Sequence, residues 1–358
     1  MVENEYVKYF DGLRAYSVLA VMLFHTNISF FLLFWTGVPV FFALSGYLIT
    51  NILLNSRNSV NYFKAFYSRR ILRIFPVYYF CLITILIVAH YFTYWNTSDF
   101  LYYLFYIQNF KLSYHSWSIN FPIFFNHTWS LAVEEQFYII FPLIVWYLDS
   151  KKLKYLCMVL VCIAISTRFI ISLIYPGNDI IWANTLSNFD FLAGGALLAI
   201  FLFRNELPSL SLLLKRITLI SGVLYFALLP LAFHQNPFNP RFRLGDAHGQ
   251  LFLIFLLPVV LCLILLLKIK KNTLLNAFFG NKVFVFLGKI SYGLYLYHFI
   301  IFFWIDHFLK VFPYSKNIGL FFIVFVKFFI TIGISYISYI TIEKTFLNFK
   351  RHFVYQLR

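Results

Sequence analysis

Long, almost uncharged stretches recur along the whole chain, and they constrain its fold more than any other feature of the sequence. Each has about 18–25 residues, enough for a helix rising ~1.5 Å per residue to cross ~30 Å of hydrocarbon. The sequence therefore predicts an all-α, polytopic membrane helical bundle, formed by residues 1–358 as a single domain. The ten candidate spans fall approximately at residues 13–33, 37–55, 74–92, 129–148, 155–174, 185–203, 217–234, 250–267, 286–306 and 318–342.

The composition agrees with a membrane protein. Hydrophobic residues make up 61% of the 358 residues and charged residues 12%, whereas soluble domains have about 45–50% and about 25%. The net charge of +16 would suit a nucleic-acid-binding protein, but the basic residues occur in short patches between the apolar stretches. Membrane proteins mark their cytoplasmic loops in this way, so we expect membrane lipids around the chain and no nucleic-acid partner.

The distribution of lysine and arginine predicts the orientation of the bundle. With the N-terminus inside, 21 of these residues fall in inner segments and 5 in outer loops, which predicts that both termini are cytoplasmic. The longest outer loop, about residues 93–128, has only two charged residues, Asp99 and Lys111, and many aromatic ones. It is too apolar for a free linker, so we expect it to fold back onto the membrane surface or partly to re-enter the membrane.

Ionisable residues in the first span are the sharpest functional signal, because charged groups at membrane depth cost about 2.5–3.5 kcal/mol or more. Arg14 and His25 are eleven residues apart, about 20° past three full turns, so both face one side of the helix. Asp11 lies on the same face and can pair with Arg14. His25 could instead be a buried histidine bonded to a neighbouring helix, and Arg14 could be an interfacial arginine.

A pair of arginines opens the third span. Arg70 and Arg73 are three residues apart and share one helical face. Arginine side chains match phosphate oxygens with two parallel hydrogen bonds. The patch is predicted to be cytoplasmic, where a phosphorylated donor such as coenzyme A would be found. An ordinary positively charged anchor at the inner surface is the alternative interpretation.

Two further polar groups lie in the fourth and ninth spans. Glu134 and Glu135 are adjacent, so their side chains point about 100° apart and at most one should face a given site. A buried carboxylate tends to keep its proton or to pair with a cation, and a structural ion pair is the alternative to a functional role. In the ninth span, His298 should lie near mid-depth, after tyrosines that could also be plain aromatic packing.

Weaker candidates complete the set. Ser45 could be a nucleophile, but no residue nearby in the sequence supplies its base, and packing of Ser45-Gly46 against another helix is the alternative. Asp190 and Arg168 lie in different spans and can pair with each other. No Cys/His metal spacing, HExxH, GxGxxG or P-loop occurs, so we expect no bound metal.

From the residues alone, the chain has a polar seam of cytoplasmic arginines, a mid-membrane histidine and a buried carboxylate. Such a seam fits group transfer across a membrane, and it also fits a proton-coupled transporter. Combined motifs favour transfer, because the chain resembles the acyltransferase-3 family of membrane acyltransferases. The motifs that carry the resemblance are Phe10–Ala15 with Arg14 and His25, Phe41–Tyr47, Arg70 with Arg73, Trp129–Tyr138, and Gly288–His298.

The resemblance implies a function in a bacterial inner membrane. Its members transfer an acyl group from cytoplasmic acyl-CoA to hydroxyls of extracytoplasmic glycans such as the O-antigen of lipopolysaccharide. It implies acetyl-CoA as donor, His25 as the catalytic residue, and Arg70 and Arg73 near the donor phosphates, with Arg14 as a further cofactor-binding candidate. Some members carry a C-terminal periplasmic esterase-like domain. We expect none here, because the chain ends 16 residues after the tenth predicted span.

Two routes remain open for the chemistry. His25 could take a proton from the acceptor hydroxyl as a general base, or it could carry the acyl group as a covalent relay. Asp11 or Glu134 would orient the cations or balance their charge. Candidates for substrate contact are Ser45, Trp129, Tyr292 and His298. The sequence leaves open the acceptor sugar, the size of the acyl group and the oligomeric state, and a flippase for a lipid-linked saccharide is the alternative function.

Overall fold

A computed structural model describes residues 6–90, 99–114, 123–175, 180–206, 216, 219–223, 247–269, 273–311 and 319–356. These residues form helices and no β-strand, which confirms the all-α prediction for the described part of the chain. The helices are α1 Lys8–Phe24, α2 Gly37–Ser56, α3 Tyr62–His90, α4 Phe100–Leu104, α5 Gln108–Tyr114, α6 Trp129–Tyr147, α7 Ser150–Ile174, α8 Ile180–Ala183, α9 Phe189–Phe203, α10 Ala247–Ile269, α11 Thr273–Phe279, α12 Lys282–Lys289, α13 Ser291–Val311, α14 Leu320–Ser338 and α15 Lys344–Asn348.

Several of these helices can cross a membrane. By length and composition, five qualify among the described residues, and α12 with α13 make a sixth if their 74° bend is counted within one span. The five include α2, α3, α7, α9 and α14. The protein is therefore a multi-pass membrane protein, while the count of ten spans stays a prediction. Most of the seventh predicted span, residues 217–234, lies outside the described residues.

The first predicted span, residues 13–33, is not one continuous helix. Helix α1 ends at Phe24, and a 3₁₀ helix follows over Ser29–Thr36. The break lies at Asn27, whose φ of 59° is in the left-handed region that asparagine tolerates better than most residues. The Thr26 hydroxyl also donates to the Leu23 carbonyl at 2.7 Å, in competition with continued helix. His25 consequently lies at the C-terminal end of α1 rather than inside a long span.

Close packing of small residues holds the centre of the bundle together. A Cβ atom on Gly46 of α2 would lie 2.0 Å from the Leu192 carbonyl oxygen, and one on Gly195 of α9 would lie 2.0 Å from that of Ala43. The two helices thus approach until only glycine fits, as small residues allow in membrane proteins. This contact fixes the position of Ser45, the neighbour of Gly46.

A buried ion pair joins α7 to α9. Nη2 of Arg168 lies 2.6 Å from Oδ2 of Asp190, and Nη1 of Arg168 donates to the Ser187 carbonyl at 2.6 Å. Both side chains are almost completely buried. The predicted pairing of these two residues is confirmed, and it explains how each can reside in an apolar environment.

Described parts of the segment 93–128 form hydrogen bonds with other helices, while its predicted place at the outer membrane surface stays a prediction. Gln108 and Asn109 are fully buried. The Asn109 amide donates to Thr185 Oγ1 at 2.7 Å and accepts from Gln136 Nε2 at 2.8 Å. These hydrogen bonds connect α5 to α6 and to Thr185, which lies shortly before α9. Residues 93–98 and 115–122 lie outside the described residues.

Candidate active site

A cavity of about 900 Å³, counted with its mouth, lies between α1, α2, α3, α6 and α13. Each of these five helices carries one of the motifs singled out in the sequence. The structure therefore brings together residues that are up to about 280 positions apart in the chain. The predicted site residues that line the cavity are Arg14, Ser45, Arg70, Arg73, Glu134 and Tyr292.

Arg14 of α1 forms an ion pair with a residue of the same helix. Nη1 of Arg14 lies 2.5 Å from Oδ1 of Asp11, three residues earlier, as the sequence predicted. The other Asp11 oxygen accepts a hydrogen bond from the Tyr6 hydroxyl at 2.5 Å. Asp11 does not line the cavity. Its position suits it to orient Arg14 and not to touch a bound molecule.

The cations of α3 are held in a different way. The guanidinium of Arg70 lies over the Tyr138 ring, 5.4 Å from its centroid, and 5.8 Å from that of Phe66. Among the described residues, neither Arg70 nor Arg73 forms an ion pair with a carboxylate. Aromatic faces position a guanidinium without neutralising its charge. The charges of both arginines remain available to an anion in the cavity.

A chain of hydroxyls leads from α2 to the carboxylate of α6. The Tyr138 hydroxyl donates to Oε1 of Glu134 at 3.2 Å and makes a short hydrogen bond with Ser45. Glu134 lines the cavity and its neighbour Glu135 does not, which confirms that only one of the two carboxylates faces the site. Ser45 therefore has a polar partner, which a search limited to nearby sequence positions could not find.

Three histidines meet next to the cavity. The rings of His25 and His298 have centroids 5.0 Å apart, and those of His298 and His127 are 4.9 Å apart. His298 and His127 are buried, whereas His25 is half-buried. None of the three lines the cavity, but Val21 and Tyr295, which hold them by their carbonyl groups, do line it. The residues that position this histidine cluster therefore form part of the cavity wall.

Hydrogen bonds assign the protons of the cluster. A carbonyl oxygen can only accept, so Nδ1 of His25, 2.9 Å from the Val21 oxygen, carries a proton, and so does Nδ1 of His298, 2.6 Å from that of Tyr295. Nε2 of a neutral His298 is then an acceptor, and it lies 3.1 Å from Nδ1 of His25. The neutral His25 ring thus has an unprotonated Nε2, which makes no hydrogen bond to a described residue. A general base needs such a lone pair.

Sequence reasoning missed the residues that connect the cluster to the cavity. His127 donates from Nε2 to the Tyr295 carbonyl at 3.0 Å, and the Tyr295 hydroxyl donates to the His127 carbonyl at 2.7 Å. Ser130 lies 2.6 Å from the same hydroxyl. Ser130 and Tyr295 stand inside two of the motifs and His127 lies two residues before one of them, and this proximity was the available signal. Trp129 packs edge-on against Phe42 at 6.2 Å and does not line the cavity.

Comparison with known families agrees with this geometry. Residues 7–340 match a family described as an acyltransferase domain, which includes all of the motifs. The chain belongs to this acyltransferase family. No solved structure matches it.

Curated relatives of this acyltransferase are named for O-acetyl transfer. The peptidoglycan O-acetyltransferase OatA of Listeria monocytogenes is 31% identical over 83% of this chain and 49% of its own length. A Bacillus subtilis protein named "Putative peptidoglycan O-acetyltransferase YrhL" is 31% identical over 83% of the chain and 48% of its own length. A Staphylococcus aureus protein, "Putative O-acetyltransferase SACOL0978", is 29% identical over 88% and 54%. The chain spans about half the length of these relatives.

Across the described ranges, no group of three His, Cys, Asp or Glu side chains is spaced to hold a metal ion. His25 and His298 hydrogen-bond to each other, and each of the three histidines hydrogen-bonds to a carbonyl group. The expectation that this acyltransferase works without a metal stays a prediction.

Proposed function

We propose that this acyltransferase acts in a bacterial cytoplasmic membrane and moves an acetyl group from acetyl-CoA to a hydroxyl of an extracytoplasmic glycan. The observation that supports it most is the meeting of all the motifs at one cavity. At that cavity, unpaired arginines, a buried carboxylate and a base-competent histidine cluster lie together. Transfer of an acyl group from an anionic donor calls for cations that bind the donor and for a base near the acyl group, and these groups can supply both.

The donor would bind with its phosphates on the arginines of α3. Arg70 and Arg73 line the cavity without a direct ion pair to a described carboxylate, and the guanidinium fork suits phosphate oxygens. The pantetheine arm would then extend along the cavity toward Val21 and Tyr295, which places the thioester beside the histidine cluster. Arg14, held by Asp11, and the hydroxyl chain of Ser45, Tyr138 and Glu134 would orient the donor along this path.

The chemical step follows from the assigned protons. Nε2 of His25 takes the proton of the acceptor hydroxyl, and the hydroxyl oxygen forms a bond to the thioester carbonyl carbon. The carbon–sulfur bond breaks, and the coenzyme A thiolate takes the proton back from the imidazolium. His298 stabilises that imidazolium by accepting from Nδ1. The unprotonated Nε2 could equally attack the thioester itself, which is the covalent relay.

Two glycans are candidates for the acceptor. The resemblance of the motifs implied O-antigen, whereas the names of the relatives in Listeria and Bacillus point to peptidoglycan. We therefore propose a glycan hydroxyl as the acceptor class and peptidoglycan as the first member to test.

The test is a labelled transfer reaction. Purified protein in detergent receives acetyl-CoA labelled in the acetyl group, first alone and then with peptidoglycan fragments or O-antigen. We expect slow thioester hydrolysis without acceptor and labelled glycan with the correct one. Binding of a lipid-linked saccharide with neither hydrolysis nor label would favour the flippase instead.

A further inference from the structure

A second, positively charged cavity lies beside the first. It measures about 470 Å³ with its mouth and is lined by Arg69, Arg70, Arg73, Lys350 and Tyr355 as its polar residues. Three of these come from α3, whereas Lys350 and Tyr355 come from residues 349–356, called here the capping segment. The cavity thus forms only where the capping segment folds against α3.

Hydrogen bonds hold the capping segment in that place. The Asn61 amide donates to the Val354 carbonyl at 2.8 Å and accepts from the Gln356 N–H at 3.0 Å. The Val60 N–H donates to the Gln356 carbonyl at 2.9 Å. Arg69 donates to the carbonyls of Lys350 and Phe353 at 3.4 and 3.3 Å. The segment is therefore fixed at the corner between α2 and α3, with Lys350 lining the same cavity as the arginines.

The basic side chains of this cavity are not directly paired with acidic side chains of the described residues. Arg69, Arg70, Arg73 and Lys350 form no ion pair with a described carboxylate, and Arg69 bonds only to neutral carbonyls. Arg69, Arg70, Arg73 and the Lys350 amine share this cavity, and the like charges of such groups repel each other. Such an arrangement is stable when an anion with several negative charges occupies it.

Arg70 and Arg73 line both cavities, so the two are neighbours that share a wall. A ligand with a charged head and a narrow neutral arm would fit, its head in the basic cavity and its arm in the first. We propose that the capping segment completes the phosphate site of the donor, with Lys350 and Tyr355 as binding residues for a phosphate-bearing nucleotide. This inference rests on the proposed acyl-CoA donor.

Binding of coenzyme A to the purified full chain tests the inference by calorimetry. The change Lys350→Gln removes the charge and keeps most of the side chain, and its matched control is Arg351→Gln, an exposed neighbour outside the cavity. A charge-assisted hydrogen bond contributes about 1.5–3 kcal/mol, so Lys350→Gln should weaken binding about 10- to 100-fold. Arg351→Gln should change it less than about twofold, as expected for an exposed charge.

A second variant tests the segment rather than the charge. Asn61→Ala removes two hydrogen bonds that hold residues 354 and 356 and does not alter the identity of any residue that lines the cavity. Like Lys350→Gln, this change should weaken the binding of coenzyme A. Pantetheine, which has no phosphates, should bind all variants alike. Equal melting temperatures exclude misfolding, and Lys350→Arg, which keeps the charge, should recover most of the affinity.

The outcomes separate the inference from the proposed function. If the unaltered chain binds coenzyme A and Lys350→Gln binds it as well as Arg351→Gln does, the inference is wrong and the donor proposal stands. If the unaltered chain binds no coenzyme A, both fail. If phosphatidylglycerol vesicles displace coenzyme A and Lys350→Gln loses affinity for the vesicles alone, the cavity holds a lipid headgroup, and the inference is again wrong.

Discussion

At the scale of single residues, the three histidines of the cluster differ in their hydrogen-bond partners. His127 and His298 both donate to the carbonyl of Tyr295, so their rings are fixed from the same atom. His25 is held by its own helix and by His298, and its second nitrogen is free of described partners. A ring that is oriented through one nitrogen and keeps a lone pair on the other is suited to proton transfer.

The first prediction concerns His25 itself. His25→Ala should abolish acetylation of the glycan while the protein still accumulates in the membrane. His25→Gln should fail as well, because an amide can hydrogen-bond but cannot take the proton. General-base catalysis contributes about 10²–10⁴-fold, so the loss should be of that size in a labelled-acetate assay. Near-normal activity of His25→Gln at normal abundance would refute the catalytic role.

The second prediction treats His298 as a positioning residue. The amide oxygen of His298→Gln can still accept from Nδ1 of His25, whereas His298→Ala cannot. One hydrogen bond is worth about 1 kcal/mol, roughly fivefold in rate. We expect His298→Ala to lower kcat by at least that factor with the donor KM unchanged, and His298→Gln to recover part of it. Equal losses in both variants, with lower protein levels, would reduce His298 to a packing residue.

At the scale of helices, the sequence predicted which segments are helical better than where they end. The pairs Asp11–Arg14 and Arg168–Asp190 were predicted and are present. The end of α1 at Phe24 was not, because it depends on one asparagine in a left-handed conformation. The role of His127 was also not predicted, since its partner Tyr295 is 168 residues away. Contacts between distant helices leave no pattern in local spacing.

The third prediction concerns the close contact between α2 and α9. In Gly46→Ala, the new methyl group would meet the Leu192 carbonyl oxygen at 2.0 Å, so α2 and α9 must separate. Ser45 would then move relative to Tyr138, and both activity and melting temperature should fall. Gly333→Ala in α14 is the matched control, because nothing lies within 4 Å of its added methyl group. If both changes are tolerated alike, close packing does not position Ser45.

At the scale of the whole molecule, the predicted orientation of the chain determines which side of the membrane each cavity faces. The basic cavity and the arginines of α3 belong to segments predicted to face the cytoplasm, where acyl-CoA is found. The segment that contains α4 and α5 is predicted to face outward. If both predictions hold, donor and acceptor approach the histidine cluster from opposite sides, and the chain passes an acetyl group across the membrane without moving either substrate through it.

The fourth prediction tests this orientation by cysteine labelling. Ser113 would be a poor reporter because it is buried. Phe110 lies in the same helix and is 51% exposed. In a background without Cys81, Cys157, Cys162 and Cys262, Phe110→Cys should react with a membrane-impermeant maleimide in intact spheroplasts.

The matched inner position is Lys151, exposed at the start of α7. Lys151→Cys should react only after the membrane is permeabilised, because inner segments carry most of the lysine and arginine. The reverse pattern would place the arginines of α3 on the outer face, away from cytoplasmic acyl-CoA. In that event the donor proposal would fall even if His25 proved essential, and a donor delivered from outside would have to replace it.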